Sequence, residues 1–202
     1  MRAMGEEWLI TDGWVETASD LEMFARELHR CQDDPYRWKW TILALYSGLQ
    51  GMIVLALQGS NGLHVLRPED ADRWLEAHER GDAYPRDLRL DNFLSLYKKV
   101  KSEIMLMYSH SKRFIPKGSQ ERSVRGLHRL RNQFVHFTPK LWALDLAGLP
   151  NIAFDCLSVA EFLAWESHNV IWEECALKQR LRSAFSSAHA LLNGMRTNRR
   201  ED

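Results

Sequence analysis

The run from Thr41 to Leu57, TILALYSGLQGMIVLAL, carries no charged side chain over seventeen residues, and it constrains the fold more than any other feature. Ser47 and Gln50 interrupt it, and its length sits at the lower limit for a bilayer span. It therefore reads as a helix buried inside a globule, with no membrane partner. A helix apolar all round needs other helices to cover it. Ala44, Ser47, Gly48 and Gly51 form a small-residue face on which one of them can approach closely. The 202-residue chain as a whole, 45% apolar and 27% charged, has the balance to supply that cover from one domain.

Breakers divide the remainder into helical blocks. Ser19-Asp20 reads as the cap of a helix over 17–32, with Leu21, Phe24, Ala25 and Leu28 at helical spacing. Asp33-Asp34-Pro35 stops it and launches the apolar helix at about Tyr36. Pro68 opens a short acidic helix to about Glu79. Leu90, Phe93, Leu94, Tyr97, Val100, Ile104 and Met107 form one stripe, which predicts a helix over 90–108. A polar loop follows, and Ser119 reads as the cap of a helix ending by about Phe137, because Pro139 disfavours helix at Thr138. Leu141 to Leu146 reads as a short extended piece. Helical periodicity returns over 151–165 and 170–195. The expected fold is an all-α, single-domain bundle of six or seven helices over 1–195, with a flexible tail at 196–202.

Cys31, Cys156 and Cys175 are too few and too scattered for a disulfide framework, and no CxxC pair suggests zinc. No metal or cofactor is expected. The opening MRAMGEEWLITDGW lacks an apolar leader core, so a cytoplasmic protein is expected.

The 27 basic and 27 acidic residues cancel, so net charge points to no partner. The local distribution does. Between Lys112 and Lys140 stand eight cations and only Glu121, a local charge of +7 that leaves −7 for the rest of the chain. Such polarity suits an anionic ligand, above all RNA, whose phosphates supply most of the affinity of a basic face. Lys112, Arg113, Lys117, Arg122, Arg125 and Arg129 are the candidate RNA contacts. A solvated basic face balanced by an acidic face at 69–79 is the alternative.

On a wheel of QERSVRGLHRLRNQFVHF, residues Val124, Leu127, Leu130, Phe134 and Phe137 share an apolar arc. Arg122, Arg125, Arg129, Asn132 and His136 stand opposite, with His128 at the margin. Arg131 breaks the pattern by falling between Val124 and Leu127. A guanidinium on that side needs a partner, a wet cavity or a subunit interface.

The hexad Arg131-Asn132-Gln133-Phe134-Val135-His136 resembles the R-(N/D/H)-x3-H motif of the HEPN superfamily, small all-helical domains that include metal-independent endoribonucleases. The likeness covers this hexad and the helical class around it. Spacing alone carries little, since Arg73 to His78 repeats it with Trp74 after the arginine. The weight comes from Asn132, the misplaced arginine and the basic surroundings. Some toxins of the family carry a tyrosine two residues after the histidine; Thr138 stands there, so the modification tied to that tyrosine is not transferred.

The resemblance implies a homodimer whose two motif copies face each other, in toxin–antitoxin or antiviral-defence biology, with an antitoxin or defence-system partner. It assigns catalysis to Arg131, Asn132 and His136. His136 would take the proton of an RNA 2′-hydroxyl, and Arg131 would neutralise charge on the phosphoryl oxygens. Asn132 would position the phosphate or a neighbouring side chain. The products would be a 2′,3′-cyclic phosphate and a 5′-hydroxyl. A HEPN-like module that binds RNA or nucleotide without cutting it, or that docks on an acidic protein, is the alternative.

Overall fold

The computed structural model describes residues 9–136, 139 and 141–197; Phe137, Thr138 and Lys140 lie outside them. It is an all-α bundle, with seven helices and no strand among the described residues. They are α1 (Gly13–Arg30), α2 (Trp38–Leu57), α3 (Pro68–Arg80), α4 (Phe93–Lys99), α5 (Gln120–Val135), α6 (Leu149–Glu161) and α7 (Cys175–Thr197).

The apolar run lies at the centre of the bundle, as its composition predicts. Ile42, Leu45, Leu49, Met52, Ile53 and Leu57 of α2 have no exposed surface. They meet Phe24 and Leu28 of α1, Leu96 of α4, Val124 and Leu127 of α5, and Leu157 and Ala160 of α6 in one cluster. The small-residue face receives α1. A Cβ at Gly51 would stand 2.3 Å from Oγ1 of Thr17, and one at Gly48 would stand 2.7 Å from Cγ of Leu21. No side chain fits at either position, so glycine sets the α1–α2 spacing.

Several boundaries differ from the sequence reading, each for a local reason. Helix α1 starts at Gly13, because the carboxylate of Asp12 accepts the N–H groups of Trp14 and Val15 at 2.9 Å each. Ser19 and Asp20 lie inside it. A 3₁₀ turn over Pro35–Arg37, capped by Asp34, precedes α2. The stripe over 90–108 yields only α4, capped by Asn92, and a 3₁₀ turn at Glu103–Met105. There the backbone finds partners outside the helix. The Val100 carbonyl accepts from Phe114 N–H at 2.9 Å. The Met105 carbonyl accepts from Asn169 Nδ2 at 2.9 Å. Leu141 to Leu146 is irregular.

The C-terminal part closes the bundle. A π-helical turn, Phe162–Glu166, extends α6, and His168 then takes a left-handed φ of 61°. That turn aims Asn169 inward. Its amide nitrogen donates to the carbonyls of Ala56 and Met105, while its oxygen accepts from the Ser111 hydroxyl. Helix α7 runs through Thr197, where Arg196 lies over the Phe154 ring at 4.0 Å and bonds Asn151 at 2.9 Å.

Candidate functional site

Helix α5 carries the hexad, and its packing decides where each side chain goes. Val124 and Leu127 are fully buried, and Gly126 brings the helix close to Ile152 of α6. Ser119, read as a cap, makes no capping bond; its hydroxyl and that of Ser123 donate to Oδ2 of Asp155 at 2.7 and 2.6 Å. These bonds fix the N-terminal half of α5 against α6. The C-terminal half lies beside α2 and α4.

There the misplaced arginine finds its place. Arg131 is half-buried and its guanidinium carbon stands 5.2 Å from the centre of the Tyr46 ring on α2. One of its nitrogens donates to Oδ1 of Asn132 at 3.0 Å. Among the described residues it forms no ion pair. It is neither free in solvent nor neutralised; it rests on an aromatic face, where a cation is attracted by the ring.

Asn132 continues the chain of contacts. Its Nδ2 lies 3.1 Å from Nε2 of His128, one helical turn earlier. Nδ1 of His128 lies 3.3 Å from the Tyr46 hydroxyl, and the imidazole stacks on Phe93 of α4, nearly parallel with centroids 5.6 Å apart. Burial and the neighbouring Arg131 hold His128 below the ordinary imidazole pKa. Burial pushes the Tyr46 phenol up, and Arg131 partly offsets it. His128 and Tyr46 were not among the expected site residues. The signal for His128 was its i, i+4 spacing from Asn132; nothing local marks Tyr46.

Arg131 also lines a cleft of about 480 Å³ between α1, α2 and α5, with Glu16, Thr17, Asp20, Ser47 and Gln50 on its walls. Burial raises the Asp20 carboxyl pKa, Glu16 adds to it, and a bond from Ser47 works against it. Beyond this cleft an aromatic groove of about 660 Å³ opens between Tyr36, Trp40, Phe134 and Trp142. Trp38, by contrast, is core, while Trp40 is 51% exposed.

His136 stands apart. It closes α5, its N–H donating to the Asn132 carbonyl at 2.8 Å, and its side chain is exposed and outside the lining of the Arg131 cleft. Five residues on a helix are about 140° around the axis, so one chain does not bring the two motif side chains together.

The expected RNA contacts form two groups. Arg122, Arg125 and Arg129 line the exposed face of α5. Arg125 is paired with Glu121 at 2.9 Å, and Lys101 takes the other oxygen at 2.6 Å. Arg122 and Arg129 form no ion pair among the described residues. Lys112, Arg113 and Lys117 belong to a groove of about 520 Å³ beside α6, which Glu161 and Glu166 also line. Arg113 is bonded to Glu103. This groove lies at the start of α5, about 17 Å along the helix from Arg131.

The second Arg-x4-His match has a different setting. Arg73 is paired with Asp70 and Asp87, and His78 stacks on Trp74. No group of three His, Cys, Asp or Glu side chains converges as a metal cage among the described residues. Comparison of the chain with protein-family models, curated proteins and solved structures finds no match. The site must therefore be read from its own chemistry.

Proposed function

We propose that the chain is a metal-independent endoribonuclease of HEPN type, acting as a homodimer on RNA. The observation that carries this reading is the setting of Arg131: a half-buried guanidinium with no carboxylate partner among the described residues, fixed by Asn132 and Tyr46 at the wall of an open cleft. A cation held without a counter-ion is poised for an anionic group, and a planar fork suits a phosphodiester. Its neighbour Asn132 holds the fork in place, as the resemblance implies for a positioning group.

In this reading His136 removes the 2′-hydroxyl proton, and the 2′ oxygen attacks the adjacent phosphorus. The bond from phosphorus to the 5′ oxygen breaks, and that oxygen is protonated by the imidazolium or by water. The Arg131 fork stabilises the charge that builds on the non-bridging oxygens. Pairing two copies supplies the proximity of arginine and histidine that one chain lacks. Arg122 and Arg129 on the open face of α5 hold flanking phosphates, Lys112 and Lys117 extend the track, and Arg125 and Arg113 join it by exchanging Glu121 and Glu103 for phosphate. A toxin or antiviral-defence role in the cytoplasm, with an antitoxin or defence-system partner, fits this activity.

The test is cleavage of RNA by the purified full chain in excess EDTA, with products analysed for a 2′,3′-cyclic phosphate. Cleavage that disappears in Arg131→Ala and in His136→Ala supports the reading; a wild type that cuts no RNA, or cuts equally well without either residue, refutes it. A second reading, a module that binds RNA or nucleotide without cutting, is favoured by the exposed His136 outside the cleft. It predicts retained binding, with Arg131→Ala weakening it and His136→Ala leaving it unchanged.

A further inference from the structure

Four side chains, from two helices, form a closed polar circuit at the C-terminal end of α5. Its donors and acceptors admit one arrangement. A guanidinium nitrogen only donates, so the Asn132 atom 3.0 Å from Arg131 is the carbonyl oxygen. The other end of that amide is then an NH2 group, which also only donates, and it faces Nε2 of His128 at 3.1 Å. Nε2 must therefore present a lone pair. A neutral imidazole with a bare Nε2 carries its proton on Nδ1, and that N–H donates to the Tyr46 oxygen at 3.3 Å. The imidazole plane is set by stacking on Phe93, and a half-turn within that plane would put carbons where both nitrogens stand and lose both contacts.

We propose that His128 is the positioning residue of the Arg131 site: as a neutral imidazole protonated on Nδ1, it fixes the Asn132 amide and, through it, the guanidinium fork over Tyr46. The positioning role rests on the ribonuclease reading; the circuit itself does not.

Protonation of Nε2 breaks the circuit. An N–H there opposes the Asn132 NH2, donor against donor. If the amide turns to present its oxygen to His128, its NH2 turns toward Arg131 and the same conflict appears one bond further along. Either way the fork loses its anchor. The groups facing His128 are Tyr46 from α2, Phe93 from α4, and Arg131 and Asn132 from α5. Arg131 is the charged one among them, and together with burial it opposes a proton on the ring. The neutral circuit is thus the state held at neutral pH and down past the ordinary imidazole pKa, and stronger acid releases it.

Long-range proton–nitrogen NMR on the full chain, with labelled histidine and arginine, tests this. The expected result is a His128 signal with hydrogen on Nδ1 at pH 7.5, a titration below 6.5, and Arg131 guanidinium signals that sharpen above that transition and collapse below it. His128→Gln places a carbonyl oxygen where Nε2 stood, so its Arg131 signals should persist into acid. In RNA cleavage, the loss of activity in acid should be steeper in the wild type than in His128→Gln, where no proton on residue 128 releases the fork. A His128 protonated on Nε2, or Arg131 signals indifferent to its titration, overturns the proposal, and the wild-type spectrum decides this even if the variant does not fold. The expected tautomer and coupling in a protein that cuts no RNA supports the circuit and overturns the ribonuclease reading instead.

Discussion

The guanidinium of Arg131 lies over the ring of Tyr46, 5.2 Å from its centre, bonded to an amide and in no ion pair among the described residues. This pairing makes the cation tolerable at a half-buried position without spending its charge. An ion pair would have left nothing for a ligand to neutralise. The aromatic face stabilises it by on the order of 1 kcal/mol and leaves its long-range field in the cleft.

Arg131→Lys separates charge from shape. A lysine keeps the positive charge but loses the planar fork and the bond to Asn132. RNA cleavage should fall about 10²- to 10³-fold, the scale of losing one oriented donor in a transition state. Single-turnover cleavage assays on the purified variant measure this, and an activity within a factor of two of wild type would show that charge alone suffices.

Gly51→Ala should destabilise the fold by about 1–3 kcal/mol, since its Cβ would stand 2.3 Å from Oγ1 of Thr17. Urea denaturation followed by circular dichroism reads the loss. Thr17→Gly in the same chain removes the clashing hydroxyl and should recover part of it.

Asp20→Asn should raise the melting temperature at pH 7. Burial holds the Asp20 carboxyl above its usual 3.8, so the folded state favours the protonated form. The stabilisation is complete below 3.8 and is lost as pH rises through the raised folded pKa, leaving an ionised and partly desolvated group at neutral pH. An amide has no such loss. Melting curves at pH 7 and pH 3 should therefore differ between variant and wild type only at the higher pH.

Asp70 titrates in the opposite sense. Its carboxylate bonds Arg89 and Arg73, and these bonds hold its pKa down at about 2. Its contribution is present above 3.8 and disappears as pH falls towards 2. Asp70→Asn should lower stability at neutral pH and flatten the stability profile between pH 4 and pH 2 in acid titrations followed by tryptophan fluorescence.

Much of the fold was legible in the sequence because each helix has one apolar side, and α2 is apolar all round. The small-residue face of α2 was readable too, since nothing but a close neighbour requires Gly48 and Gly51 together. The overlong helix over 90–108 shows the limit of periodicity. Its stripe is real, but the carbonyls of Val100 and Met105 are taken by Phe114 and Asn169, which no local pattern reveals. At the site, Arg131 stood out as a cation on an apolar arc. Its partners did not, because Tyr46 and His128 meet across 82 residues of chain. The basic loop was legible as charge, whereas its distance from Arg131 follows from the length of α5 between them.

The Asn169 amide draws together the last turn of α2, the Met105 turn and the loop at Ser111. Ala56 alone is 113 residues away in sequence. Segments that end on a shared anchor cannot open separately. Deuterium uptake at all three should therefore proceed at one common rate, set by a single concerted opening in place of three independent fraying events.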